Sequence, residues 1–76
     1  MKNLAGGKRV ALTLSDQDGN AFFLIGAFRR QAKREGWTQN EIDAVTAECQ
    51  AGDYNHLLQV LIAHCEDEDD KVETED

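Results

Sequence analysis

Residues 18–34 constrain the fold of this chain more than any other stretch. Their apolar side chains recur every three or four positions, as on one face of an α-helix. The stripe consists of Ala21, Leu24, Ile25, Phe28 and Ala32. Asp18 or Asn20 can cap the first turn through a short side-chain oxygen, and Gly36 follows where a helix commonly ends in a left-handed turn. We therefore predict a long helix that serves as the packing surface for the rest of the chain.

Two phenylalanines near the start of this helix do not fit a simple surface helix. Phe22 and Phe23 lie on opposite flanks of the apolar stripe, so the first turns are apolar nearly all round. Two shorter helices packed on one side would leave part of that circumference open. We expect something beyond the later helices to cover these side chains.

Two shorter helices are predicted downstream. Thr38 and Glu41 have the spacing of a capping box, in which each side chain accepts a hydrogen bond from the other residue's backbone N–H. The stripe of this second helix is Ile42, Val45 and Cys49. Asp53 can cap a third helix. The predicted stripe of the third helix is Tyr54, Leu57, Leu58, Leu61, Ile62 and Cys65.

Residues 8–15 alternate between apolar and polar side chains, and this period of two predicts a β-strand. Its apolar face would contain Val10, Leu12 and Leu14. A lone strand leaves its backbone groups unpaired, so two arrangements are open. Either residues 2–5 fold back on it as a hairpin through the Gly-Gly pair, or a second copy of the chain pairs with it. The second arrangement is a homodimer through the N-terminal strand, which could also cover the two phenylalanines.

The predicted fold class is therefore mostly α, with one N-terminal β-strand followed by a three-helix bundle. The 76 residues suffice for one small domain, which we place at residues 1–65. That part holds seven basic and seven acidic residues and is neutral. The net charge of −7 comes entirely from residues 66–76, with eight acids and one lysine, which we predict to be a disordered acidic tail.

The remaining composition predicts the compartment. No stretch approaches the roughly 20 apolar residues that span a bilayer, and no signal peptide is visible at the N terminus. We therefore expect a cytoplasmic protein without membrane contact. The two cysteines, Cys49 and Cys65, both fall on predicted helix stripes, which favours buried thiols over a disulfide.

The sequence offers little for catalysis. Cys49, Cys65 and two hydroxyl groups are possible nucleophiles, and His56 and His64 are possible bases, but no spacing brings a nucleophile to a base. No phosphate-binding loop or nucleophile elbow is visible. Cys49, His64 and Cys65 could converge on a metal ion only if the last two helices pack antiparallel, and no ligand spacing supports it. We predict no enzyme, no catalytic residue, no metal and no cofactor.

Binding is the better-supported activity, and two charged surfaces are candidates. The first helix ends in a basic cluster that could contact nucleic-acid phosphates, made of Arg29, Arg30, Lys33 and Arg34. Trp37 follows closely enough to stack on a base. Alternatively, an acidic surface could mimic phosphates in a basic groove of a partner protein. Its members are Glu41 and Glu48 on the edge of the second helix, and Glu66, Asp67, Glu68, Asp69 and Asp70 in the tail.

Several short motifs carry a resemblance to a known group of proteins. They are Gly19-Asn20-Ala21-Phe22, Leu24-Ile25-Gly26, Gly36-Trp37, Glu41-Ile42-Asp43, Gly52-Asp53-Tyr54 and His56-Leu57-Leu58. Over residues 10–65 the chain resembles short uncharacterised proteins of bacteriophages and other mobile elements. The resemblance transfers no activity. It implies a small accessory protein that binds and inhibits a host protein complex, here one that handles nucleic acid, with anti-CRISPR proteins as an analogy. A nucleic-acid-binding module that uses the basic cluster is the alternative.

A second resemblance is to ubiquitin-associated three-helix domains. Gly36-Trp37-Thr38 sits where those domains have a loop of glycine and an aromatic residue. The sequence around Gly52-Asp53, with Leu57 and Leu61, is similar to their third helix. This resemblance implies a peptide-binding surface made of Gly36, Trp37 and the exposed end of the third helix.

Overall fold

A computed structural model of the chain describes residues 3–14 and 19–66. Its three helices are α1 (Ala21–Arg34), α2 (Gln39–Cys49) and α3 (Tyr54–His64), joined by short turns and packed against one another. The prediction of a mostly α fold with three helices is confirmed. The predicted tail falls almost wholly on residues 67–76, which lie outside the described residues.

Both ends of α1 form as the local sequence predicts. The Asn20 side chain caps the helix by accepting a hydrogen bond from the Phe22 N–H at 2.8 Å. At the other end Gly36 has a φ of +87°, which a residue with a Cβ adopts only under strain. The Trp37 N–H then reaches back to the Ala32 carbonyl at 3.0 Å. This bond satisfies a carbonyl that the helix end would otherwise leave unpaired.

The apolar stripe of α1 forms the centre of the core, as predicted. Leu24, Ile25, Phe28 and Ala32 are buried, and Ala21 packs on them partly exposed. The Phe28 ring meets the Trp37 ring edge to face, with centroids 5.5 Å apart. Such a contact stabilises an aromatic pair by about 0.5–1.5 kcal/mol beyond its burial.

The two later helices begin at the predicted caps. In α2 the Glu41 N–H donates to Thr38 Oγ1 at 3.1 Å, and the Thr38 N–H donates to Glu41 Oε1 at 2.9 Å, which completes the capping box. In α3 the His56 N–H donates to Asp53 Oδ1 at 2.9 Å. The buried stripe of α2 is also the predicted one, formed by Ile42, Val45 and Cys49.

The predicted face of α3 is wrong at its edges. Tyr54 and Ile62 are 45% and 54% exposed, whereas Val60 and His64 are fully buried. The observed stripe is rotated toward the histidine because the backbone satisfies both nitrogens of its ring, so that burial leaves no polar atom unpaired. Hydropathy alone places a histidine on the solvent side.

The predicted β-strand at residues 8–15 is also wrong as far as the structure describes it, because residues 8–14 contain no strand. Val10 forms a single bridge to the end of α3: its N–H donates to the His64 carbonyl at 2.9 Å, and its carbonyl accepts from the Glu66 N–H at 2.7 Å. Val10 is buried, and Leu12 and Leu14 pack on the core partly exposed. An irregular segment lying over helices buries the same alternate side chains that a strand would, so the period of two was ambiguous.

The N-terminal turn takes the place of the predicted hairpin. The Asn3 side chain accepts hydrogen bonds from the Ala5 and Gly7 N–H groups and donates to the Lys8 and Ala63 carbonyls, at 2.7–2.9 Å. This segment is thereby attached to α3 within one chain. The homodimer predicted through the strand loses its structural basis, since the described residues offer no strand for a second copy to pair with.

Candidate functional site

The outward face of α1 is the main candidate for a binding surface. Phe22 is 81% exposed and Phe23 is 63% exposed, in the same helical turn. We expected something beyond α2 and α3 to cover these two side chains, but no residue in 3–14 or 19–66 does so. Burial of a phenylalanine side chain is worth about 1.5–3 kcal/mol, so this face gains stability when another molecule covers it.

A groove of about 330 Å³ lies beside Phe22, between the start of α1 and the start of α3. Its walls include Ile25 and Leu57, both buried in the core, and Tyr54 at the rim. The Tyr54 hydroxyl donates a hydrogen bond to the Gly19 carbonyl, which fixes the rim. The groove is therefore apolar and framed by two aromatic side chains.

The basic cluster forms only in part. Arg29, Arg30 and Lys33 border a shallow depression of about 170 Å³ together with Gln39 and Ile42 of α2. The Arg29 guanidinium is engaged by Thr46 Oγ1 at 3.0 Å and lies 3.6 Å from an Asp43 carboxylate oxygen.

The other cations of the cluster form no ion pair within the described residues. Within the described chain no carboxylate oxygen comes within 4 Å of Arg30, Lys33 or Arg34, and all three are exposed. Arg34 is not among the residues that border the depression. The cluster thus leaves positive charge free for an anionic group.

Trp37, a predicted contact residue, is buried. Its side chain is 7% exposed because it packs on Phe28, with the Lys8 ammonium 5.5 Å from the ring centroid. The predictions that placed Trp37 on a nucleic-acid or peptide surface stay predictions, and this burial counts against them.

Both carboxylates of the predicted acidic edge of α2 are engaged by other side chains of the same chain. Lys8 Nζ lies 2.7 Å from Glu41 Oε1, and this hydrogen bond, followed by the one from the Thr38 N–H, holds the pKa of the Glu41 carboxyl below its usual value. Glu48 Oε2 lies 2.8 Å from His56 Nε2. Both carboxylates are thus engaged within the chain, and Glu41 is paired with a cation, which weakens the case for phosphate mimicry by this edge.

Of the acidic candidates in the tail, the structure describes only Glu66. Glu66 is exposed, and its backbone N–H is the group that bonds to Val10. Asp67, Glu68, Asp69 and Asp70 lie outside the described residues.

The groups weighed for catalysis and metal binding are mostly buried or engaged. Cys49 and Cys65 are free, buried thiols, and burial, followed by the nearby Glu48 charge, raises the pKa of Cys49 to about 11. His64 is enclosed in the core. Residues 3–14 and 19–66 hold no group of three or more His, Cys, Asp or Glu side chains placed to bind a metal ion. The predicted absence of catalysis and of cofactors stays a prediction.

Comparison with known proteins adds no family. No protein-family model, curated protein or solved structure matches this chain. The resemblances to phage proteins and to ubiquitin-associated domains therefore stay predictions. None of the described helices is long and apolar enough to cross a membrane.

Sequence reasoning named Gly26, in the middle of α1, only as part of a resemblance motif and assigned it no role. A Cβ added there would meet no atom within 4 Å apart from the helix's own backbone, so nothing inside the described fold requires glycine. Glycine in a helix interior costs about 0.5–1 kcal/mol relative to alanine. The available signal was an isolated glycine within a helical pattern. Gly52 differs, since a Cβ there would approach His56 Cγ to 2.8 Å.

Proposed function

We propose that this chain is a small, non-enzymatic binding protein that docks onto a protein partner through the first turns of α1. One observation supports this above all: Phe22 and Phe23 remain 81% and 63% exposed although neighbouring apolar residues of α1 are buried. Through the resemblance to phage proteins, we further propose that the partner is a host protein complex that handles nucleic acid, and that docking inhibits it.

The chemistry of the site favours a protein as the occupant. Aromatic side chains are enriched among the few residues that dominate binding energy at protein interfaces. The groove beside Phe22 is bordered by Ile25, Tyr54 and Leu57, so it could accept an apolar side chain of the partner. The combination of a protruding aromatic pair and an adjacent apolar groove is typical of a peptide or helix docking site.

Site-specific photocrosslinking tests this proposal. A photoreactive phenylalanine analogue is placed at position 22, 23 or 62, and the chain is expressed in the cell that contains the partner. Ile62 is the matched control because it is also a half-exposed apolar residue, at the other end of α3. We expect one protein to be captured from positions 22 and 23 and not from 62.

An excess of unlabelled chain should compete, whereas a Phe22→Ser/Phe23→Ser chain should not. Equal capture from all three positions, or none, would overturn the proposal.

Nucleic-acid binding remains the second candidate, supported by the uncompensated charges of Arg30, Lys33 and Arg34 in the described chain. Three cations make a small footprint, and affinity should fall steeply with salt. A gel-shift assay at low salt with single-stranded and duplex DNA tests it. Retention that disappears in an Arg30→Gln/Lys33→Gln variant would support this candidate, and absence of retention would exclude it.

A further inference from the structure

We infer that the segment bound by α1 is a helix with acidic first turns and apolar later turns, lying antiparallel to α1 along its outward strip. The outward strip consists of Phe23, Gly26, Arg30 and Lys33. This inference rests on the proposed function, because it assumes a protein partner, and it adds the chemistry and direction of the partner's segment.

The spacing of the outward strip suits a helical partner. Its members are three, four and three residues apart, so they form one continuous row along α1. At about 100° per residue this row lies on the side of α1 opposite the buried Leu24, Phe28 and Ala32. α1 thus has a second helix-packing face on which no helix of residues 3–14 and 19–66 packs.

Gly26 supplies the second argument. It stands between Phe23 and Arg30 in the row, and the space around its missing Cβ is open. Because small residues at a helix surface let another backbone approach closely, an occupant of this strip can pack tightly at its centre. The fold of the described chain gives no other reason for glycine here.

Charge sets the direction of the occupant. Phe23 and Arg30 are seven residues apart, which is about 10 Å along the helix axis, so the strip is apolar at one end and cationic at the other. Acidic side chains are favourable in the first turn of a helix, where the dipole is positive. The acidic end of the partner helix is therefore its N terminus, and it lies at the C-terminal end of α1. The two helices run antiparallel.

A second copy of this chain is a poor occupant for the same reasons. Antiparallel pairing of two outward strips would place Arg30 and Lys33 of each copy against the Phe23 end of the other. The strip contains no carboxylate, so the cations of neither copy would meet an opposite charge.

The test uses two synthetic peptides of equal length and composition. The acidic-first peptide is an 18-residue helix former with Glu and Asp in its first two turns, and with Leu at three- and four-residue spacing in the rest. The acidic-last peptide carries the same residues with the charged turns at the C terminus. Binding of each fluorescent peptide to the full chain is measured by anisotropy at low salt. We expect the acidic-first peptide to bind about tenfold more tightly. Equal affinities would overturn the inferred direction.

Matched variants test the strip itself. Arg30→Gln/Lys33→Gln should weaken the acidic-first peptide about tenfold. Asn55→Glu/Gln59→Glu lowers the net charge by the same two units on exposed positions of α3 and should have little effect. Gly26→Leu should weaken binding at least tenfold and Gly26→Ala less, because the added side chain separates the two backbones. Circular dichroism should show all variants folded.

The variants also separate this inference from the proposed function. If Phe23→Ser abolishes partner crosslinking from position 22 while Arg30→Gln/Lys33→Gln and Gly26→Leu leave it unchanged, the protein-binding function stands and the acidic helix is wrong. If no protein is crosslinked from positions 22 and 23 in the first place, both the proposed function and the acidic partner helix are wrong. A dimer in sedimentation equilibrium that Gly26→Leu dissociates would assign the strip to a second copy and overturn the inference.

Discussion

His64 shows how a single polar residue can determine the orientation of a helix. Its Nε2 accepts from the Leu4 N–H at 2.8 Å, and its Nδ1 lies 2.6 Å from the Val60 carbonyl. A backbone N–H only donates and a carbonyl only accepts, so the buried ring is neutral with its proton on Nδ1. The ring therefore connects α3 to the N-terminal segment.

We expect His64→Ala to lower the free energy of unfolding by about 2–4 kcal/mol, because it leaves both a cavity and an unpaired Leu4 N–H. His56→Ala is the control. His56 is only half-buried and pairs with an equally half-exposed Glu48, so its loss should cost at most about 1 kcal/mol. Urea unfolding followed by circular dichroism measures both. Similar losses for the two variants would contradict this account of the buried ring.

The Cys49 thiol makes stability depend on pH on the alkaline side. Burial raises its pKa from 9.0 to about 11 in the folded chain. Between these values the unfolded thiol ionises while the folded one keeps its proton. The contribution of Cys49 to the free energy of unfolding is therefore fully present below pH 9 and is lost as pH rises toward 11. We expect Cys49→Ala to show a smaller decrease in urea midpoint between pH 8 and pH 10.5 than the unmodified chain. Parallel decreases would mean that other groups cause the loss.

At the scale of single elements, replacement by alanine should have opposite effects at Gly26, inside α1, and at Gly36, just after its end. Gly36→Ala forces a Cβ into a φ of +87°, which should destabilise the chain by about 1–2 kcal/mol. Gly26→Ala should stabilise it by up to about 1 kcal/mol, since helical backbone favours alanine and the site is open. Thermal unfolding of the two variants provides the comparison. Destabilisation by Gly26→Ala would mean that the fold does need glycine there.

The elements also show what could be read from the sequence. Asn20, Thr38 and Asp53 are local caps, whose partners lie two or three residues away. The local sequence therefore identified Thr38 and Asp53, and it left Asn20 as one of two candidates. The rotation of α3 and the path of Val10 depend on contacts about 50 residues apart, such as the Val10 N–H to the His64 carbonyl. Local periodicity carries no information on such pairings, which is why the strand prediction and the edges of the α3 stripe were wrong.

In the candidate site, too, features that depend on local sequence could be predicted and features that depend on distant contacts could not. The sequence placed Phe22 and Phe23 on the flanks of the apolar stripe, because a helix with apolar residues on every side has more surface than two neighbours can cover, but it did not name them as binding residues. The burial of Trp37 was not foreseen, because the turn at Gly36 directs it onto Phe28, a residue one helix earlier in the fold. The ion pair between Lys8 and Glu41 likewise forms between residues that are distant in sequence.

At the scale of the whole molecule, charge is distributed unevenly along the chain. Residues 67–76 carry seven acids and one lysine, while the cations of the outward strip, Arg30 and Lys33, form no ion pair with any described residue. An anionic ligand that approaches the strip therefore meets both the local attraction and the repulsion of the chain's own negative charge. Such long-range effects are strong at low salt, where the Debye length is about 30 Å at 0.01 M, and weak at 1 M, where it is about 3 Å.

A chain that ends at Glu66 should bind the acidic-first peptide several-fold more tightly than the full chain at low salt, and equally at high salt, because only the screened repulsion has been removed. Ending at Glu66 keeps its N–H bond to Val10. A full-length control with the acids of residues 67–76 changed to Gln or Asn should bind like the shortened chain. Weaker peptide binding after shortening would contradict this electrostatic account. Loss of the partner crosslinked from position 22 would instead mean that the acidic residues themselves contact the partner, as phosphate mimicry requires.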